Sequence, residues 1–181
     1  MLKFFILFVV ITVSLFGLYV VEAVQTHFVL PFTTGIATVC SWLTQLFDSD
    51  VIAHGKILQS RSNGWAVSIE PGCNGIEALI ILFAAIFAFP APFKHKVIGF
   101  VIGFFAIQGL NLVRITSLFY LGQWNKTWFD WFHLYLWQAL IILDALVVWL
   151  IWLRTLPLPE RDDDSQPPGS DSGLPTQPAS A

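Results

Sequence analysis

Three side chains in this sequence are of the types that acyl transfer needs: a thiol at Cys73, a guanidinium at Arg114 and an imidazole at His133. A thiolate is a strong nucleophile. An imidazole can take the thiol proton and return it to a leaving amine, and a fixed cation can stabilise the oxyanion formed between the two steps. Cys73 lies in "SIEPGCNGIEALIILFAAIFAFP", between turn formers and a long apolar run, Arg114 in "QGLNLVRITSLFYLG" and His133 in "WFDWFHLYLWQ". They are far apart in the chain, so any joint chemistry depends on the elements that carry them.

Those elements belong to a membrane. Of the 181 residues 56% are hydrophobic, 15% aromatic and only 12% charged, and the mean hydropathy of +0.71 lies well above globular usage. The net charge of -3 reflects the acidic stretch "ERDDDSQPPGSDSG" near the C-terminus, and no basic footprint for phosphates is present. The partners expected on these grounds are the lipid bilayer and no nucleic acid. Two cysteines, Cys40 and Cys73, are too few for a disulfide framework and lack metal-ligand spacing. No metal or cofactor is expected, while a redox pair between the two thiols stays open.

A hydrocarbon core about 30 Å thick needs about 20 apolar residues in a helix. Four stretches are read as spans: residues 4–21, residues 76–89 stopped by "PAP", residues 97–120 and residues 134–153. A cleaved signal peptide ending at Ala23 is the alternative for the first, although its apolar run exceeds the usual length; both readings deliver the chain beyond residue 23 to the outer side. Lys3, the "KHK" of residues 94–96, Arg154 and Arg161 gather on one side, against Lys56, Arg61 and Lys126 on the other. The positive-inside rule then puts both termini in the cytoplasm.

The segment "FVLPFTTGIATVCSWLTQLF", residues 28–47, is spotted with polar residues and reads as an interfacial or re-entrant helix, with Cys40 a small packing residue. After it, "VIAHGKILQSRSNGWAVSIE" reads as two short strands around "SRSNG", with Trp65, Val67 and Ile69 on one face. Residues 155–181, rich in Pro, Ser, Gly and Asp, are expected to form a disordered cytoplasmic tail beyond a membrane-embedded domain of residues 1–154. The expected fold class is therefore an all-α integral membrane protein of about four transmembrane helices, with a fifth interfacial or re-entrant helix and a small extramembrane β-hairpin.

In this topology Cys73 caps the outer end of the second span. Arg114 falls about six residues, or about 9 Å, below the outer end of the third, and His133 opens the fourth, so all three reach one outer layer. A cysteine at a helix N-terminus beside a cation is expected to have a lowered pKa. Taken singly, each has a plainer role as a packed thiol, a snorkelling arginine or an interfacial histidine. A non-catalytic membrane subunit or transporter component, with Arg114, Asp144 and Glu77 as intramembrane polar glue, is the rival class. Gln108 and Asn111 are positioned to hydrogen-bond across the bundle, Glu77 to pair with Arg114, and Asp144 lies too deep for the same site. Trp124, Trp128, Trp131 and Trp137 read as interfacial anchors.

The blocks "PGCNGIEAL", "FAFPAP" followed by "KHK", "GLNLVRITSLFYLG" and "FHLYLWQ", in this order on successive helices, resemble the exosortase and archaeosortase family, and the short layout with "CNGIEA" is similar to the small exosortase H branch. The resemblance covers residues 69–154 well and the N-terminal third in layout only. It implies a cysteine peptidase or transpeptidase of the bacterial inner membrane, multi-pass, with its site on the periplasmic side. Its partners would be exported proteins ending in a short motif of the IPTL type, a transmembrane helix and a basic cluster, and an acyl acceptor whose identity stays open. By the same resemblance Cys73 matches the nucleophile, Arg114 the arginine of the "NxxRI" block and His133 the family histidine. The chain lacks the extra spans of longer exosortases, so its substrate groove is expected to be built differently. The hairpin around residues 62–64 offers a docking edge for an extended motif by strand addition.

Overall fold

The computed structural model describes residues 2–156 and shows a mostly helical protein with one small sheet. The order is α1 (Leu2–Tyr19), α2 (Glu22–Val24), a π-turn (Gln25–Val29), α3 (Leu30–Gln45), β1 (Val51–His54), β2 (Ile57–Ser60), β3 (Ala66–Ser68), α4 (Ile76–Ala88), α5 (Phe93–Trp124), α6 (Lys126–Trp131), a second π-turn (Phe132–Leu136) and α7 (Trp137–Arg154). Among the described residues three helices are long and apolar enough to cross a bilayer: α1, α5 and the continuous run Lys126–Arg154. The expected tail falls almost wholly outside the described residues.

The second expected span is shorter than a full crossing. α4 has 13 residues, about 20 Å of helix against a core of about 30 Å. Pro90 and Pro92 stop it, since neither can continue the backbone ladder. It is nevertheless held centrally, packing against α1, α5 and α7. Gly103 lets α5 approach Leu82 of α4 and Val148 of α7 so closely that an added Cβ would lie 2.4 Å and 3.0 Å from their side chains, the small-residue device of helix packing in lipid.

Contacts at the two ends fix the antiparallel arrangement. At one end Phe4 of α1 stacks on Trp149 of α7 at 6.3 Å and meets Phe89 edge-on at 5.9 Å. There too the Trp152 indole donates to the His95 carbonyl at 2.9 Å. At the other end the Tyr19 hydroxyl donates to Glu77 at 2.6 Å. Lys3, Lys94, Lys96 and Arg154 therefore share one end of the bundle, and the sheet shares the other with the loop before α4.

α3, within residues 28–47, is not among the helices long and apolar enough to cross a bilayer. α3 carries a buried stripe of Thr33, Ile36, Ala37, Cys40, Ser41 and Thr44, and it lies against β1 and α5. The polar spots that weaken it as a membrane helix are satisfied locally: Thr44 donates to the Cys40 carbonyl at 2.8 Å, and the Cys40 sulfur lies 3.1 Å from the Thr116 hydroxyl. The extramembrane hairpin is a three-stranded antiparallel sheet in the order β1-β2-β3. The expected first strand is divided at Gly55, whose φ of +58° makes the turn between His54 and Ile57. Trp65, Val67 and Ile69 do share a face, packed with Val51, Leu58, Ile115 and Phe119 in one core cluster.

Candidate active site

Cys73 is delivered by a turn between β3 and α4. The Cys73 N–H donates to the Glu70 carbonyl at 2.9 Å, closing a four-residue turn with Pro71 second and Gly72 third at a φ of +88°. This is the type II pattern, in which Pro presets the second position and glycine alone takes the third without steric cost. Gly75, with φ at +77°, then caps α4, which begins at Ile76. Cys73 thus stands two residues before the cap and off the helix end where the sequence put it.

The loop is anchored from both sides. The Glu77 carboxylate accepts from the Gly72 N–H and from the Tyr19 hydroxyl, each at 2.6 Å, so it does not pair with Arg114 as the sequence suggested. Asn74 is wholly buried: its amide donates to Thr33 at 3.1 Å, its side-chain oxygen accepts from the Ile76 N–H at 3.1 Å, and its carbonyl accepts from Gln108 at 3.3 Å. Gln108 therefore makes the cross-bundle hydrogen bond expected of it, to this loop, whereas Asn111 does not: its amide donates to Gln108 on its own helix at 3.5 Å.

Arg114 sits deeper than expected. Because α5 continues to Trp124, the arginine is about 15 Å below the helix end, and at 1% exposure it does not snorkel. Its Nη1 donates to the Gly72 carbonyl at 3.3 Å and its Nη2 lies 3.7 Å from the Cys73 sulfur. Among the described residues the only ion pair is Lys56 in the β1–β2 turn with Glu70 just after β3, so this buried guanidinium has no carboxylate partner. A buried cation without a counter-charge is costly, and here its nearest polar contacts are the Gly72 carbonyl and the Cys73 sulfur.

His133 falls in the π-turn that joins α6 to α7, four residues after Phe129 and on the same face. The Phe129 ring stacks on the imidazole at 5.6 Å, with planes 9° apart, and the imidazole Nε2 lies 3.9 Å from the Cys73 sulfur. The thiol therefore stands between a guanidinium and an imidazole, on a cavity of about 100 Å³ bordered by Val67, Ser68, Leu118 and Phe129. Phe129 and Asn74 were missed in the sequence, although the four-residue spacing of Phe129 from His133 on a helix was a usable signal.

Burial pushes the Cys73 thiol up from its ordinary value, and the Arg114 guanidinium opposes that shift without overcoming it. The lowered pKa expected from a helix N-terminus is not what this geometry produces, because the thiol is off the helix end and half-buried. Such a group reacts when a base takes its proton, a task the imidazole nitrogen at 3.9 Å is placed to perform. Cys40 is buried and Cys73 half-buried, and both are free thiols; Asp144 lies outside the cavity. Trp124, Trp128 and Trp131 are exposed as interfacial anchors would be, whereas Trp137 turns inward. Among the described residues no group of three or more His, Cys, Asp or Glu side chains is arranged to hold a metal ion.

A second, larger cavity of about 590 Å³ runs between α1, α4 and α7 and is walled by Phe8, Ile81, Ala145 and Trp149 among other apolar side chains. Its polar end is formed by Gly72 and Glu77, so adjacent residues of one turn border both cavities. No curated protein and no solved structure matches the chain. The model of the transmembrane exosortases (Exosortase_EpsH) matches residues 1–149, a stretch that holds the cysteine turn, the buried arginine and the histidine alike. This integral membrane protein belongs to the transmembrane exosortase family.

Proposed function

We propose that this protein is a membrane-embedded cysteine peptidase or transpeptidase that removes C-terminal sorting signals from exported proteins through a thioester. The observation that carries the reading is the Cys73 sulfur held 3.7 Å from Arg114 Nη2 and 3.9 Å from His133 Nε2 on one cavity. Nucleophile, base and oxyanion partner are the three roles such chemistry requires.

His133 takes the thiol proton, and the Cys73 sulfur attacks the scissile carbonyl carbon. The resulting oxyanion meets the Arg114 guanidinium, which forms no ion pair among the described residues. The C–N bond then breaks as the imidazolium returns its proton to the departing amine, leaving an acyl thioester on Cys73. An amine, a hydroxyl or water resolves that thioester and restores the thiol. The substrate is an exported protein ending in a short motif, of the IPTL type by the likeness to the exosortase H branch, followed by a transmembrane helix and a basic cluster. Its helix lies in the groove between α1, α4 and α7, whose polar end at Gly72 and Glu77 brings the start of that helix beside Cys73.

The basic end of the bundle, with Lys3, Lys94, Lys96 and Arg154, belongs in the cytoplasm by the positive-inside rule. The site then faces the periplasm of the inner membrane, with both termini cytoplasmic. The test is coexpression with a reporter that carries such a signal: wild type is expected to remove the tail and Cys73→Ala to leave it. Undiminished processing by Cys73→Ala would sink the reading. Topology reporters inserted at Ala91 and Asn63 are expected to read cytoplasmic and periplasmic respectively, and the reverse result moves the site to the wrong compartment for exported substrates.

A further inference from the structure

The sheet has two edges, and the molecule treats them differently. At β1 the outward-facing carbonyl of Val51 accepts from Gln45 at 2.8 Å and from Ser41 at 3.4 Å, both on α3, so this edge is covered. At β3 the pattern of pairing with β2 shows which groups are left over. Leu58 stands opposite Val67, the Ile69 N–H donates to the Lys56 carbonyl at 3.0 Å, and the Ser60 N–H donates to the Trp65 carbonyl at 2.9 Å. Bonded positions in an antiparallel ladder alternate, so residues 65, 67 and 69 face β2 while Ala66 and Ser68 aim their N–H and C=O groups outward. Among the described residues nothing hydrogen-bonds to those four groups, and both residues are exposed.

A bare edge is a template for another strand, and proteins usually cover or blunt one that has no use. This edge is also continuous with the site. Ser68 and Val67 border the same cavity as Cys73 and His133, and the strand runs through Ile69 and the type II turn directly into the thiol. We infer that the free edge of β3 takes the substrate's recognition motif as an added strand, with Ala66 and Ser68 supplying the backbone hydrogen bonds. The inference rests on the processing function proposed above and adds the mode of recognition.

The direction of the added strand is set by the two cavities. β3 runs toward the turn at Gly72, and beyond that turn lies the apolar groove of α1, α4 and α7. A substrate whose membrane helix comes after its motif must run the same way, so the added strand is parallel to β3. Alternate side chains of the motif point to the face of Trp65, Val67 and Ile69, and one of them fills the apolar part of the cavity at Leu118 and Phe129. The expected docking edge around residues 62–64 is displaced by this reading. That stretch is the β2–β3 turn, tied down by the Asp50 carboxylate accepting from the Ser62 N–H and hydroxyl, each at 2.8 Å.

Two measurements on the full-length protein test the idea. In the first, processing of the tailed reporter is compared across Ser68→Ala, which keeps the outward N–H, and Ser68→Pro, which removes it without touching a bond to β2. Ser68→Pro is expected to lower processing about tenfold and Ser68→Ala less than about twofold; equal rates for the two overturn the inference. The second reads docking without chemistry: Ser68→Cys in a Cys73→Ala background is oxidised against reporters with single cysteines scanned through the motif. Cross-links at every second motif position are the expected result, and their absence, or a helical spacing, overturns strand addition. If Cys73→Ala processes the reporter normally while the alternating cross-links persist, the thioester reading fails and the docking edge stands.

Discussion

The Phe129 ring lies flat on the His133 imidazole, centroids 5.6 Å apart and planes 9° from parallel. The ring orients the histidine from one turn away on the same helical run, and it is in turn braced by Gly122, where an added Cβ would come within 3.1 Å of it. His133 Nδ1 is buried, and no protein group among the described residues bonds it. Stacking and helix geometry are the protein contacts that aim the ring.

Phe129 thus positions the histidine, and Phe129→Ala is expected to lower kcat roughly tenfold to a hundredfold, with a smaller rise in KM for the reporter because the ring also walls the cavity. Phe129→Tyr keeps the stacked face and should restore most of the rate. A purely structural role would lower the folded fraction of Phe129→Ala and show no rescue in specific activity by the tyrosine.

The thiol's ionisation gives a pH test. Burial raises the Cys73 pKa and Arg114 opposes the rise, so the thiolate fraction near neutrality is below that of a free cysteine, whose pKa is about 8.5. Alkylation of Cys73 by iodoacetamide, followed by mass spectrometry, should keep rising with pH above about 8.5 and show no plateau below it. Arg114→Gln removes the opposing charge, shifts the profile to still higher pH and slows alkylation at any fixed pH below it. An alkylation plateau near pH 6 would contradict burial outweighing the Arg114 charge, and an unshifted profile in Arg114→Gln would contradict the role given to Arg114.

Gly72 and Gly75 both hold positive φ, yet their substitutions should differ. At Gly72 an added Cβ meets open space, so Gly72→Ala costs about 1 kcal/mol of backbone strain. At Gly75 the Cβ would lie 2.9 Å from Gln108 Nε2, the atom that donates to the Asn74 carbonyl. Gly75→Ala adds the loss of that bond and should destabilise by about 2 to 3 kcal/mol. Thermal unfolding in detergent, with the two variants side by side, checks the order.

Residue types and their order on successive helices were enough to single out Cys73, Arg114 and His133, because ionisable and nucleophilic groups beside apolar runs are costly unless they serve each other. Hydropathy likewise marked α1, α5 and α7 as membrane helices. The Glu70–Cys73 turn was legible as well, since Pro followed by Gly has few alternatives in backbone space. What sequence could not decide were quantities set by long-range contacts. Whether Glu77 pairs with Arg114 or with Tyr19 and Gly72 depends on how α1 crosses α4. Whether the Cys73 thiol is acidified by a helix end or pushed up by burial depends on a two-residue offset and on what α5 and α6 pack over it. Which sheet edge is bare depends on where α3 lies. Spacing along the chain specifies neighbours within a few residues; the tertiary structure alone sets the dielectric and the partners of a side chain that meets residues far away in the sequence.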